Sequence, residues 1–266
     1  MSFDVERARE FGATMDFGRT TGDYRRYRPG FPTAFFETLV ARGWLAPGQA
    51  ALDLATGTGA VARGLARAGA TVTAADIAAE LIHVADALDD AADVKVRYVR
   101  APAEGTGLPA ASVDLVTVGQ AWHWFDRPRA AAEVRRLLRP GGRVVIAHFD
   151  WIPLPGSVAA ATEGLILKHS PRWPMAGGNG VYPTWLRDLS EAGFAGIETF
   201  SFDADVPFTH VQWQGRVRAS APIQGSLSAE EVAAFDDELN ALLRARFASE
   251  PLQVLHRCWA ASGVAP

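Results

Sequence analysis

The sequence predicts an α/β fold built on a doubly wound, mainly parallel sheet, and three observations carry that prediction. Between Ala50 and Phe149, helix-like segments alternate with short β-rich runs, the pattern of right-handed βαβ units whose crossover helices cover a parallel sheet. The first β-rich run ends in the turn Asp53-Leu54-Ala55-Thr56-Gly57-Thr58-Gly59, immediately ahead of a helical stretch. The second run ends on an acid, Asp76. Strand, glycine turn, helix start and a downstream acid are the parts of a nucleotide-type cofactor site.

Strands are expected at residues 50–54, 71–75, 94–99, 113–118 and 143–149, with two further candidates at 196–202 and 252–260. Helices are expected at 60–67, 78–87 and 129–138, with Gly141-Gly142 supplying the turn after the last. Gly57 and Gly59 let the chain turn tightly and approach a ligand, while the helix beginning near Gly59 presents free N–H groups to it. Gly57-x-Gly59-x-x-Ala62 also satisfies the looser dinucleotide pattern. Asp53 argues against a pyrophosphate there, because a carboxylate repels phosphate and suits a ligand carrying an ammonium group. Asp76 stands where an acid accepts both ribose hydroxyls, a service it renders NAD and S-adenosylmethionine equally; its other reading is a cap for the helix that follows.

Two later segments complete a pattern. Ala103-Glu104-Gly105-Thr106-Gly107-Leu108-Pro109 precedes the run Ser112-Val113-Asp114-Leu115-Val116, and Leu138-Arg139-Pro140-Gly141-Gly142 precedes another strand. Taken with residues 53–59 and Asp76, the chain resembles a class I S-adenosylmethionine-dependent methyltransferase. Gln120-Ala121-Trp122-His123-Trp124-Phe125-Asp126 and Tyr24-Arg25-Arg26-Tyr27-Arg28-Pro29-Gly30-Phe31-Pro32 are similar to the small-molecule branch, which includes trans-aconitate and ubiquinone/menaquinone-type methyltransferases. The resemblance implies a Rossmann-like seven-stranded sheet in the order 3-2-1-4-5-7-6, its seventh strand antiparallel, with helical cap insertions.

It also implies the cofactor contacts. Asp53 and the backbone of Ala55, Gly57 and Gly59 serve the methionine side, and Asp76 with Ile77 serves the ribose and adenine. Ala103 and Glu104 meet the adenine edge; Pro102 stands where many relatives carry an Asp, leaving adenine recognition to Glu104 or to backbone. Gly119 and Gln120 line the methionine moiety, and Tyr24 and Arg28 close over it from an arm spanning 17–32.

Methyl transfer from a sulfonium uses an activated reagent, so the enzyme mainly aligns the nucleophile and excludes water. If the acceptor must lose a proton, His123 is the best placed base, since it follows the fourth strand at the ligand edge; His148 is the alternative. Trp122, Trp124, Phe125 and Trp151 offer an apolar wall for an acceptor or, equally, core packing. Arg216 or Arg218 suits a substrate carboxylate through its forked donors, against surface exposure or a structural ion pair. Trp124, His148, Trp151 and Arg216 are thus the candidate substrate residues. Cys258 reads as a buried, small apolar side chain.

With 266 residues of which 48% are hydrophobic, the chain has ample material for a core, and one methyltransferase domain is expected over 1–266. Cap elements are expected at 1–42, 151–182 and 207–250; the second holds the flexible Gly177-Gly178-Asn179-Gly180, and the third a helix introduced by the capping box Ser228-x-x-Glu231. No apolar stretch reaches the roughly 18 residues that span a bilayer. The net charge of −4 and the lack of a basic track argue against nucleic acid as substrate. A polar N-terminus and a single cysteine point to the cytoplasm. The expected function is methyl transfer to a small organic acceptor, oxygen favoured over nitrogen or carbon. Its rivals are an NAD-dependent oxidoreductase, which leaves Asp53 and the later motifs unexplained, and a non-catalytic S-adenosylmethionine-binding protein.

Overall fold

The computed structural model describes Glu10, Tyr27 and residues 29–223 and 225–266. After α1 (Thr33–Ala41) the chain runs β1 (Ala50–Leu54), α2 (Ala60–Arg67), β2 (Thr71–Asp76), α3 (Ala79–Ala92), β3 (Val96–Arg100) and β4 (Val113–Gly119). It continues through α4 (Arg127–Leu137), β5 (Leu138–Trp151), α5 (Val158–His169), α6 (Thr184–Glu191) and β6 (Ala195–Phe208), then α7 (His210–Arg218), α8 (Ala229–Arg246) and β7 (Leu252–Val264). The seven strands form one sheet in the order β3-β2-β1-β4-β5-β7-β6. Neighbours from β3 to β5 are parallel, whereas β7 is antiparallel: Gly141 donates to the Ala265 carbonyl at 3.0 Å, and Ala265 donates back to Gly142 at 2.8 Å.

Both faces of a parallel sheet are covered, so its central strands are buried nearly throughout rather than alternating. Leu52, Leu54, Leu115, Val116, Val118, Val144, Val145 and Ile146 are all fully buried. The strand order reverses between β1 and β4, and the crevice beyond the carboxyl ends of such a pair is where doubly wound sheets bind ligands.

One expected turn is corrected. Gly141-Gly142 does not end a helix: α4 stops at an extended Leu138, and both glycines lie inside β5. There Val113 pairs with Leu138 but Leu115 pairs with Arg143, so β5 carries extra residues against β4. Gly141, at φ 78°, takes the left-handed conformation that this bulge requires.

Contacts divide the chain into two compact units. The sheet unit comprises Pro29–His148, Tyr182–Ser201 and Cys258–Pro266, so residues 29–42 of the expected N-terminal cap fall within it. The second unit comprises Phe149–Val181 and Phe202–Arg257 with the described residues of 1–28. It has its own core, in which Ile166, Trp213, Phe235, Leu239 and Leu243 bring α5, α7 and α8 together. Reciprocal capping boxes start α7, at Thr209 and Gln212, and α8, at Ser228 and Glu231. Among the described residues, no helix is long and apolar enough to cross a membrane.

Candidate active site

The glycine turn after β1 is held from within the protein. Asp53 is 1% exposed; it accepts the Thr56 hydroxyl at 2.6 Å and the Thr117 hydroxyl, on β4, at 2.7 Å. Burial pushes its carboxyl up to about 6 against these hydrogen bonds and one from the Ala62 backbone. Asp53 braces the turn from within, one carboxylate oxygen accepting from Thr56 and the other from Thr117. Gly57 and Gly59 adopt φ 57° and 75°. Ala55 and Gln120, at the carboxyl ends of β1 and β4, also sit in the left-handed region, at φ 50° and 57°. A non-glycine residue there costs about 1–3 kcal/mol, and such outliers gather at functional sites.

Asp76 closes β2 with both carboxylate oxygens fixed. One accepts the Gly57 N–H at 2.8 Å and the other the Ala78 N–H at 2.9 Å. The acid thus ties the glycine turn to the start of α3 while each oxygen keeps a second lone pair for a ligand. The following side chain, Ile77, is 63% exposed although large and apolar. Beyond β3, Ala103 is buried and the Glu104 carboxylate accepts the Asp126 N–H at 2.9 Å, which commits that oxygen to the chain.

Glu133 is a residue that sequence reasoning missed. It lies on α4 and accepts the Thr106 N–H at 2.8 Å, the Thr106 hydroxyl at 2.6 Å and two donors of Arg136 at 2.7 Å. The Arg136 guanidinium holds its carboxyl down at about 2, with the Thr106 bonds adding to the effect. It fixes the loop that carries Ala103 and Glu104. Its partners lie 27 positions upstream and three downstream, so no local pattern announces it.

At the end of β4, an added Cβ on Gly119 would come within 2.8 Å of Val61 and 3.1 Å of the Phe31 ring. Glycine here lets Phe31 pack down onto the strand end, and Gly30 lies against Ala60. The arm's expected contacts Tyr24 and Arg28 lie outside the described residues.

Past Gln120 the chain makes a 3-10 turn, Trp122–Trp124. Trp122 is fully buried and donates to Asp188 on α6 at 2.9 Å, while Arg127 grips the same carboxylate at 2.8 and 2.9 Å. Trp122 and Phe125 are thus packing residues. They pin the turn that carries His123, which is 6% exposed and packs its ring 4.1 Å from Trp124. The His148 ring lies 5.6 Å from that of His123 and stacks on Tyr182 at 3.8 Å, with the Trp185 ring 6.0 Å away. Trp185 Nε1 donates to His148 Nε2 at 3.2 Å. Because an indole only donates, Nε2 carries the lone pair and the proton of the neutral ring sits on Nδ1. The Nε2 lone pair of His148 is therefore engaged by Trp185.

Trp151 and Arg216 belong to the second unit. Arg216 is 6% exposed and stacks its guanidinium 4.7 Å from the Trp151 ring. Trp151 donates to Glu163 at 2.7 Å, and Glu163 also accepts the Gly177 N–H at 2.7 Å; burial pushes its carboxyl up. Arg218 instead forms an ion pair with Asp236. His256, fully buried, donates from Nδ1 to the Val254 carbonyl at 2.9 Å, and burial pushes it down to about 4. Cys258 is buried, as the sequence suggests.

Residues 52–146, which hold the glycine turn, Asp76, Glu104 and His123, match the methyltransferase domain family. An uncharacterized methyltransferase of Mycobacterium tuberculosis is 40% identical over 133 residues, covering 49% of this chain and 51% of that protein; the chain thus spans about half the length of that relative. A demethylmenaquinone methyltransferase of Clavibacter sepedonicus is 31% identical over 198 residues, or 66% of this chain and 78% of that protein. Among solved structures, a candidate type II methyltransferase from Anaeromyxobacter dehalogenans is 28% identical, with a TM-score of 0.64 over 90% of this chain and 97% of that one. Kinship of this extent, joined to the sheet order and the antiparallel seventh strand, makes the chain a member of the class I S-adenosylmethionine-dependent methyltransferase family.

Proposed function

We propose that the protein transfers a methyl group from S-adenosylmethionine to an oxygen of a small organic acceptor. The observation that carries the cofactor reading is the Asp76 carboxylate, held by the Gly57 and Ala78 N–H groups with Ile77 standing 63% exposed beside it. A fixed acceptor next to an uncovered apolar side chain fits a ribose and its attached base: Asp76 takes the hydroxyls, and Ile77 gives the ring an apolar face. The residues present therefore fit the cofactor. Its methionine end is assigned to the Ala55–Gly59 turn, Gly119 and Gln120, with Asp53 bracing the turn from below. Ala103 and neighbouring backbone take the adenine edge.

When bound, S-adenosylmethionine supplies a sulfonium-activated methyl group, so the chain's own residues must orient the acceptor, exclude water and take one proton. His123 is assigned the proton: the acceptor hydroxyl gives it up to a ring nitrogen as the oxygen attacks. Trp124 packs on that imidazole and limits water there. Within the second unit, Arg216, buried and stacked on Trp151, has forked donors of the kind that match a carboxylate. A net charge of −4 favours a small acceptor over a nucleic acid.

Thermal shift with S-adenosylmethionine, S-adenosylhomocysteine and NAD is the first test. A ligand of the native state at one hundred times its Kd adds about 2.7 kcal/mol of stability; stabilisation by NAD in place of the two sulfur compounds would overturn the reading. Labelled methyl transfer to a panel of hydroxy acids and carboxylic acids then identifies the accepting atom. In that assay His123→Ala is expected to lower turnover by roughly 10²–10⁴-fold with cofactor affinity retained. A change confined to acceptor KM would make His123 a residue that positions substrate.

A further inference from the structure

We propose that Asp89, acting through Arg63 and Tyr98, is a positioning residue that sets the cofactor turn from beneath. The inference rests on reading residues 53–59 as the S-adenosylmethionine turn.

Asp89 lies on the inner face of α3 and is 3% exposed. A buried carboxylate is costly unless it is paired and hydrogen-bonded, and here two neighbours complete it. Arg63, on α2, places Nη1 2.7 Å from one carboxylate oxygen, and the Tyr98 hydroxyl, on β3, donates to the other at 2.6 Å. Both partners then reach the turn. Arg63 Nη2 donates to the Thr58 carbonyl at 2.7 Å. The Tyr98 hydroxyl oxygen and Arg63 Nη1 lie 2.6 and 3.0 Å from where a Cβ on Gly59 would stand. Gly59, left-handed at φ 75° and the cap of α2, therefore rests directly on the pair.

The consequence is a fixed peptide. The Thr58 carbonyl is clamped by a guanidinium that Asp89 itself holds in place, so the Thr58–Gly59 peptide plane has one orientation, and with it the first turn of α2. Burial, together with the adjoining Asp89, pushes the Tyr98 hydroxyl well above the usual phenol range, so it remains a donor at any working pH. Asp53 and Asp76 already brace the turn near its start and middle; this third carboxylate secures its end. A turn ordered before binding spares the ligand the cost of ordering it.

The experiment compares Asp89→Asn and Tyr98→Phe with Val144→Ala, a core truncation on β5, two strands from β1. Calorimetry with S-adenosylhomocysteine is run well below each protein's melting temperature, alongside amide exchange of residues 57–62 in the ligand-free proteins. The two network variants are expected to bind about tenfold more weakly, within the usual range of coupling between neighbouring groups, and to exchange faster in the turn. Val144→Ala should keep wild-type affinity despite its lower melting temperature. Tyr98→Phe retains the ring and loses one oxygen, so it tests the idea even if Asp89→Asn fails to fold. Wild-type affinity in a folded network variant would overturn the proposal while leaving the cofactor reading intact. Failure of the unmodified protein to bind S-adenosylhomocysteine would remove the cofactor reading, and the positioning role with it.

Discussion

Two carboxylates of the sheet unit look alike in sequence and differ in what surrounds them. Asp76 holds two backbone N–H groups and is assigned the cofactor ribose, so Asp76→Ala is expected to weaken S-adenosylhomocysteine binding by about 1.5–3 kcal/mol, the worth of hydrogen bonds to a charged group. Calorimetry on the folded variant decides it, and unchanged affinity would make Asp76 only a brace for Gly57 and α3. Asp53 is buried and pushed up to about 6 from an ordinary 3.8. Between those values the folded protein keeps a proton that the unfolded chain has released, so this acid's contribution to stability falls as pH rises from about 4 to about 6 and is level above. The change is at most roughly 3 kcal/mol. His256, pushed down to about 4 from 6.5, works in the opposite sense: the unfolded chain takes up a proton first, and stability is lost as pH falls through that window. Asp53→Asn removes the first contribution and leaves the second. Its melting temperature should therefore lie further below wild type at pH 4.5 than at pH 7, and a gap that does not widen on acidification would show that the Asp53 carboxyl titrates normally.

The elements show where periodicity suffices and where it does not. Residues 50–54 and 60–67 are found as strand and helix with the expected bounds, because each is a short amphipathic or apolar run with a glycine within three positions of either end. β5, β6 and β7 are longer than expected: the added residues range from exposed, as at Arg139 and Asp203, to fully buried, as at Ala261 and Ser262, and strand neighbours, which lie far away in sequence, hold them. Gly64 makes the same point within a helix. It weakens α2 by about 1 kcal/mol relative to alanine on propensity alone. A Cβ there, however, would stand 2.0 Å from Cζ of the Phe36 ring on α1. Gly64→Ala is accordingly expected to destabilise the protein by about 1–3 kcal/mol through overpacking, as read from denaturant unfolding. A stabilised variant would mean that Phe36 swings away at little cost.

For the whole molecule, the expected consequence of cofactor binding is tighter packing of residues 29–32 on the sheet unit. Phe31 already packs on Gly119 at the end of β4, where the cofactor's methionine end is assigned. Amide exchange at Gly30 and Phe31 should slow when S-adenosylhomocysteine is added. Equal exchange with and without ligand would argue that this segment is already held by the protein's own packing, including the Phe31–Phe35 ring contact at 4.6 Å.

The sequence by itself determined the α/β class, the cofactor turn and the order of the motifs, because these rest on local chemistry: apolar period, glycine conformation, and an acid at the end of each of two strands. Resemblance then added the sheet order and the family. Tertiary structure alone decided the roles of individual polar groups. It turned Asp53 inward onto Thr56 and Thr117, gave Glu104 to Asp126 and fixed the His148 tautomer through Trp185. It also joined Glu133 to Thr106 and Asp89 to Arg63 and Tyr98. Most of these partners are many residues apart in the chain, and a hydrogen bond depends on ångström distances that only the folded sheet establishes.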